Sequence, residues 1–358
     1  MIISDVIVGL QHGDEGKGKV CYNLMKNNSY DYCIRFNGGP NAGHTIHTDN
    51  LCKVPNKKIV LHQIPCGILL EKLCIIGTGC VIDFKKLELE IKYLEDLGFT
   101  NTREHLYIAH NAHIIKDEHI IIDNRSNTIG TTKCGIGPCY TDKHKRHGTQ
   151  ALHEKDTIHN MKLTLINIPE YFRQFSQSNL TLLFEGAQGF LLDVDWGDYP
   201  FVTSSSCISS SIGTCGIPAS TIRHVYGCCK IYDTYVGSKI FQPDNDVNLI
   251  SLGKIGEEIG ATTGRGRQCN WLNMNDLNRA ILVNGCTHII LNKCDILQQL
   301  GCYKLYNSTI NNTIFDTKIL STIEFKNFEQ MKEYIQSIIY TNNSYDIDII
   351  FSSSPYEI

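Results

Sequence analysis

No stretch of this chain approaches the ~20 consecutive apolar residues needed to span a bilayer, so no membrane partner is expected. The N-terminus, Met1-Ile2-Ile3-Ser4-Asp5, lacks the basic start and long apolar region of a secretory signal, and a cytoplasmic location is expected. Excess charge is also missing. A formal net charge of −4 gives no electrostatic case for nucleic acid, and the one dense basic run, Lys143 to His147, is too short to make a binding face. None of the 16 Cys pairs at C-x-x-C spacing, which removes the common zinc frameworks. Cys33, Cys74 and Cys80 lie in apolar runs, where thiols behave as small hydrophobes. What remains is 358 residues with 42% hydrophobic and 20% charged content, enough for a sizeable core and unlike a disordered chain.

The apolar run Asp5 to Leu10 predicts a strand that enters a Gly-rich loop, with a helix following through Leu24. Further strands are expected at Tyr32–Phe36, Ile59–Ile64, Leu73–Ile82, Leu180–Phe184, Val225–Val236, His288–Leu291 and Ile347–Phe351. Phe84, Leu87, Ile91, Leu94 and Leu97 recur at helical spacing, as do Phe328, Met331, Tyr334 and Ile338. Strands alternating with helices predict an α/β fold with a mainly parallel central sheet and helices on both faces. No repeat, low-complexity tract or linker divides the chain, so residues 1–358 are expected to form one domain. Functional loops should gather at the carboxyl ends of the strands.

Gly13-Asp14-Glu15-Gly16-Lys17-Gly18-Lys19 follows the first strand. Its glycines let backbone N–H groups face phosphate oxygens, and the helix start and lysines add positive potential. The spacing Gly13-x-x-x-x-Gly18-Lys19 is that of a P-loop. Val20, however, stands where a P-loop has Ser or Thr, and Val cannot ligate magnesium. A metal ligand must come from elsewhere, and Asp14 sits inside the loop. Read alone, the loop is equally a polar turn; its place after the first strand favours phosphate.

Asn292-Lys293-Cys294-Asp295 follows the apolar strand at His288. A carboxylate there can accept from both N1–H and the 2-amino group of guanine, a donor pair that adenine lacks. The Lys293 stem can lie along the base. Read alone, this too is a charged turn. With a phosphate loop earlier, GTP is the leading nucleotide. No Asp has Gly three positions on, so the switch motif of a regulatory GTPase is missing and GTP is expected as a reagent.

Three other segments combine glycine with polar side chains: Asn37-Gly38-Gly39-Pro40-Asn41-Ala42-Gly43-His44-Thr45, Gly130-Thr131-Thr132 with Gly135-Ile136-Gly137-Pro138, and Gly260 to Arg267. The last holds Thr262, Thr263, Arg265 and Arg267, and Arg forks suit carboxylates and phosphates.

The ordered segments GDEGKGK, NGGPNAGHT, HQIPCGIL, IGTT with GIGP, FEGAQG, YPFVTSS, GATTGRGR and NKCD resemble the motif series of the adenylosuccinate synthetase family. They run from residue 6 to about 295, and the final FSSSP echoes a family segment. The chain is similar in length to the compact archaeal and viral members. The resemblance implies a P-loop-like GTP-binding ligase fold and the reaction of GTP, IMP and L-aspartate to GDP, phosphate and adenylosuccinate. It implies Asp14 as base at purine N1–H, His44 as acid towards the 6-oxygen, and Lys17 on the transferring phosphoryl group. Mg²⁺ would be held by Asp14 and the Gly43 carbonyl. GTP would meet Gly13, Glu15, Gly16, Gly18, Lys19, Gly43 and Thr45, with Lys293, Asp295, Ser352 and Ser354 around guanine. Asn41, Thr132, Gln188, Thr203 and Arg265 are implied for IMP, and Thr262, Thr263 and Arg267 for aspartate. Arg146 matches an Arg lent to the neighbouring subunit's IMP phosphate, which implies a homodimer.

Four positions depart from the family pattern: His12 replaces a Trp, Lys133 and Cys134 interrupt the loop after Thr132, and Ser354 replaces a Gly. Within the family, certain phage relatives take dGMP in place of IMP, with a small residue, typically Ser, at the position of Asp14. Asp14 favours IMP. A catalytically inactive nucleotide-binding module is the reading from another class, and Asp14 with His44 argues against it.

Overall fold

The computed structural model describes residues 1–49, 52–126, 129–175, 177–260, 264–307 and 321–358. Among them, nine parallel strands form the central sheet. In chain order they are β1 (Ile2–Gly9), β2 (Tyr32–Arg35), β3 (Leu73–Ile76), β4 (Leu106–Ala109), β5 (Thr164–Ile166), β6 (Leu180–Glu185), β7 (Ile222–Lys230), β8 (His288–Asn292) and β9 (Asp348–Phe351). The spatial order is β9-β8-β7-β1-β6-β2-β3-β4-β5. Every adjacent pair is parallel.

A parallel sheet covered on both faces needs strands without alternation, and the central strands supply them. Val6, Ile7, Val8, Cys33, Ile34, Leu182, Leu183, Phe184, Ile289, Ile290 and Leu291 are all wholly excluded from solvent. The flanking helices include α1 (Lys17–Asn27), α2 (Phe84–Asp96), α3 (Ile136–Lys145), α4 (Met274–Asn284) and α5 (Phe328–Asn342). Helix α2 shows how the sequence sets such an element. Asp83 caps its start by accepting from Lys85 and Lys86 N–H at 3.0 and 3.1 Å, and Leu87, Ile91 and Leu94 face the core.

Three expected strands take a different form. Leu73–Ile82 divides into β3 and a two-residue strand Val81–Ile82, because Gly77-Thr78-Gly79 turns beneath β2. A Cβ on Gly79 would lie 2.0 Å from the Phe36 carbonyl, so only glycine fits there. Val225–Val236 breaks at Ile231: β7 stays in the central sheet, and Tyr232–Tyr235 joins a second, four-stranded sheet with Gln268–Asn273, Tyr303–Asn307 and Ser321–Phe325. Ile59–Ile64 shortens to Lys58–Leu61, antiparallel to His44–His47 and outside the central sheet. No helix among the described residues is long and apolar enough to cross a membrane.

The topology places the site. Strands β1, β2, β6, β7, β8 and β9 end at one edge of the sheet. Their carboxyl ends lead into Gly13–Lys19, Asn37–Thr45, Gly186–Gly189, Ile231–Asp233, Lys293–Asp295 and Ser352–Ser354.

Candidate active site

These loops enclose a cleft of about 560 Å³. The phosphate loop forms one wall. Asp14 and Gly16 adopt left-handed backbone at φ 62° and 85°, and α1 starts at Lys17. Asn292, the last residue of β8, donates to the Glu15 carbonyl at 2.7 Å and pins the loop to the sheet. Glycine is required at 18, since a Cβ would sit 2.9 Å from His44 Cβ and 3.2 Å from its backbone. The loop backbone and the His44 strand therefore approach as closely as two chains can.

The charged side chains of the loop are engaged with one another and with their neighbours. Glu15 is buried and accepts from Gln11 N–H, Gly13 N–H and, at 2.5 Å, Lys17 Nζ. Lys19 Nζ donates to Ser352 Oγ at 2.7 Å and the Ser354 carbonyl at 2.9 Å, and burial pulls its pKa down to about 8. Asp14 is partly exposed, and its Oδ2 lies 2.8 Å from Arg267 Nε.

Opposite the loop, His44 opens the strand His44–His47 and lines the cleft. Its Nδ1 meets Glu185, the last residue of β6. Glu185 is in register with Arg35, the last residue of β2, and Arg35 Nη1 reaches it at 3.1 Å. Cys66 adds its N–H at 2.7 Å and its thiol at 3.0 Å. Burial raises the Glu185 pKa, but His44 and Arg35 outweigh it and hold the carboxyl below the usual carboxylate range. Burial first, and Arg35 second, push His44 down to about 4.

Asn41, Thr132, Gln188 and Arg265 line the same cleft. Gln188 has left-handed backbone at φ 59°, and its Nε2 donates to Asn41 Oδ1 at 3.2 Å. Its buried Oε1 has no hydrogen-bond donor among the described residues. Arg265 Nη1 donates to the Gly130 carbonyl at 2.8 Å. Asp123 shapes the Thr132 loop by accepting from Thr131 Oγ1 and Gly135 N–H, both at 2.8 Å. Lys293, Asp295 and Ser354 line the cleft as well, and Lys293 Nζ donates to the Gly256 carbonyl at 3.1 Å. Gly13, Glu15, Gly16, Lys17, Gly18, Lys19, Gly43, Thr45 and Arg267 complete the expected residues found at the cleft.

Ser352, Thr203 and Arg146 do not line it. Ser352 is buried against Lys19. Thr203 is half-buried with its N–H on the Leu192 carbonyl at 2.8 Å. Arg146 is exposed, in left-handed conformation at the end of α3. Thr262 and Thr263 lie outside the described residues. Sequence reasoning passed over Glu185, Arg35 and Glu258. Glu258 accepts from Arg267 Nη1 at 2.5 Å, Lys230 Nζ at 2.8 Å and Tyr232 OH at 2.6 Å. Glu185 sits inside FEGAQG, and that embedding was its one available signal.

Among the described residues, two sets of side chains stand close enough to share a metal ion, Cys21 with Cys33 and Glu185, and His44 with Cys66 and Glu185. In both, the Arg35 guanidinium already supplies the positive charge beside Glu185. Asp14 and Gly43 both line the cleft, and a carboxylate and a backbone carbonyl are the kind of oxygen donors magnesium takes, which Val20 is not.

A profile of the adenylosuccinate synthetase family matches residues 6–164 and 152–338. The chain belongs to the adenylosuccinate synthetase family. Adenylosuccinate synthetase of Chlorobium luteolum is 38% identical, over 86% of this chain and 80% of its own length. That of Chlorobium phaeovibrioides is 35% identical, over 97% of this chain and 94% of its own length. The fully ligated adenylosuccinate synthetase structure from Plasmodium falciparum superposes with a TM-score of 0.81 at 29% identity, covering 98% of this chain and 97% of its own. Succinoaminodeoxyadenylate synthetase of cyanophage S-2L, bound to dGMP and dATP, has a TM-score of 0.74 at 20% identity, covering 99% and 93%, and so shares the fold.

Proposed function

We propose that this member of the adenylosuccinate synthetase family joins L-aspartate to C6 of IMP at the expense of GTP, forming adenylosuccinate, GDP and phosphate. The observation that carries the reading is one cleft lined together by Asp14, His44, Thr132, Gln188, Lys293 and Asp295. Oxygen at C6 is a poor leaving group until it is phosphorylated. Asp14 takes the N1 proton, and the 6-oxygen then attacks the γ-phosphorus as GDP leaves. His44 donates towards the 6-oxygen as charge moves there, and Lys17 turns its ammonium from Glu15 to the transferring phosphoryl group. The aspartate amine next attacks C6, and phosphate departs. Asp14 and the Gly43 carbonyl would hold Mg²⁺, which when bound neutralises phosphate charge.

Asp295 accepts from the guanine N1–H and 2-amino group, with Lys293, Ser352 and Ser354 beside it. Gly13, Glu15, Gly16, Gly18, Lys19, Gly43 and Thr45 frame the GTP phosphates. Asn41, Thr132, Gln188, Thr203 and Arg265 hold IMP, and Gln188 Oε1 gains a donor there. Thr262, Thr263 and Arg267 take the aspartate carboxylates. The chain works as one domain in the cytoplasm, and as a homodimer in which Arg146 reaches the partner's IMP phosphate. Its exposure and its distance from its own cleft support that reading.

The test is turnover dependent on GTP, IMP and aspartate together, followed by absorbance of the succinylated purine. Turnover with dGMP but not IMP would overturn the substrate, and no turnover with either would overturn the ligase.

A further inference from the structure

We infer that Asn23 of α1 is a positioning residue for the purine base of the donor nucleotide. With Lys19, one helical turn earlier, it fastens the C-terminal turn Ser352–Tyr356 to the helix that leaves the phosphate loop. The inference rests on the function proposed above, in which that turn and Lys293–Asp295 meet guanine.

Asn23 is the odd residue on its stretch of helix. Val20, Cys21, Tyr22, Leu24 and Met25 around it are buried hydrophobic residues, and Asn23 is itself only 2% exposed. Asn is a weaker helix former than Leu or Met, and a buried amide costs free energy unless it is hydrogen-bonded. Both of its partners are carbonyl oxygens, so the amide nitrogen faces them. Nδ2 donates to the Lys19 carbonyl at 3.0 Å and to the Tyr356 carbonyl at 2.8 Å. The first bond is local to the helix. The second ties the helix to a segment 333 residues away.

Lys19 holds the same turn from a position nearer the phosphate loop. Its Nζ donates to Ser352 Oγ at 2.7 Å and to the Ser354 carbonyl at 2.9 Å. An ammonium has three N–H groups, so one remains for a phosphate oxygen. The turn is closed on itself by Ser352 Oγ donating to the Glu357 carbonyl at 2.9 Å and Tyr356 N–H donating to Ser354 Oγ at 3.1 Å. It is also joined to the other segment proposed for the base, since Cys294 N–H donates to the Ser352 carbonyl at 3.2 Å. Lys293, Asp295, Ser354 and Pro355 all line the cleft. Strand β9 ends at Phe351, so past it the contacts from α1 set where Ser354 and Pro355 stand. The helix that begins at the phosphate loop thereby also fixes the walls that receive the base.

The test compares GTP with ITP, which lacks only the 2-amino group that Asp295 is proposed to accept from. Asn23→Leu keeps the shape of the side chain and removes its donor. KM for GTP should rise on the order of tenfold, while KM for IMP and for aspartate moves less than about threefold. The preference for GTP over ITP should shrink by about threefold or more, because a displaced turn serves both bases alike. A helix that was merely loosened would lose activity equally with the two nucleotides. Asn23→Ala, which adds no bulk and favours the helix, gives the same comparison if the leucine variant does not fold. A folded variant with the parent's GTP-to-ITP ratio would overturn the inference, whatever happens to kcat. So would a parent chain that binds GDP no more tightly than IDP in calorimetry. A parent inactive with both IMP and dGMP would instead sink the proposed function, and the GDP-to-IDP ratio of parent and variant would still decide the inference.

Discussion

Arg267 links Asp14 to Glu258, with Nε 2.8 Å from Asp14 Oδ2 and Nη1 2.5 Å from Glu258 Oε2. Glu258 is anchored in turn by Lys230 and Tyr232, so the guanidinium is fixed on its inner side and faces the cleft on its outer side. On the proposed function, a substrate carboxylate arriving at Arg267 would take the place of Asp14 and leave that carboxylate to the purine. Removing the fork should therefore act on aspartate. Arg267→Leu is expected to raise KM for aspartate by roughly 10- to 100-fold. Steady-state kinetics at fixed GTP and IMP checks this, and an unchanged KM removes Arg267 from the aspartate site.

Asp14→Ala should abolish turnover while GTP binding, measured by calorimetry, persists. On the proposed function, GTP would be held by the loop N–H groups and by Asp295, neither of which depends on that carboxylate. Retained turnover would rule out Asp14 as the base.

Gly18→Ala forces a methyl group into His44. A loss of about 1–3 kcal/mol in urea unfolding is expected. Activity should fall with it, because His44 is the group displaced. A variant with parental stability and kcat would show that the two segments can move apart freely.

Mixing Arg146→Ala subunits with Asp14→Ala subunits should restore part of the activity that each lacks alone. One site in the mixed dimer then has its own Asp14 and the partner's intact Arg146. Failure in a dimer of verified mixed composition would count against the shared site.

Acid should unfold this protein in two stages. Burial lowers His44 and His113 to about 4, so the folded chain keeps them neutral while the unfolded chain protonates them below about 6.5. Stability should fall as pH drops from about 6.5 towards 4, by on the order of a few kcal/mol. Glu258 is lowered to about 2, because Lys230 and Arg267 outweigh the opposing effect of burial. Its contribution is complete above about 4.3 and is lost as pH falls towards 2. Urea unfolding between pH 7 and 3 measures the trend, and a flat profile from 7 to 4 would contradict the histidine part.

Much of this protein was legible in the chain alone. Apolar runs such as Val6–Val8 and Ile289–Leu291 marked strands buried on both faces, and the glycines of Gly13–Lys19 marked a loop that must turn tightly. Continuous β-branched runs suit a doubly covered sheet, which is why strand positions and the phosphate loop came through. Run ends did not, because in Val225–Val236 and Leu73–Ile82 apolar residues continue on both sides of the break. The break at Ile231 and the turn at Gly77–Gly79 are set by where other strands pair and by how near Phe36 lies. Tertiary structure alone decided the electrostatics. Arg35, His44, Cys66 and Glu185 are spread over 150 residues, and no spacing rule joins them. Glu185 and Arg35 meet because parallel strands in register bring their last residues side by side, and the start of the His44–His47 strand and the turn at Cys66 are brought against them. The same topology places Asp14 within reach of Arg267. Sequence determined which chemical groups the cleft holds; the register of the sheet determined which of them touch.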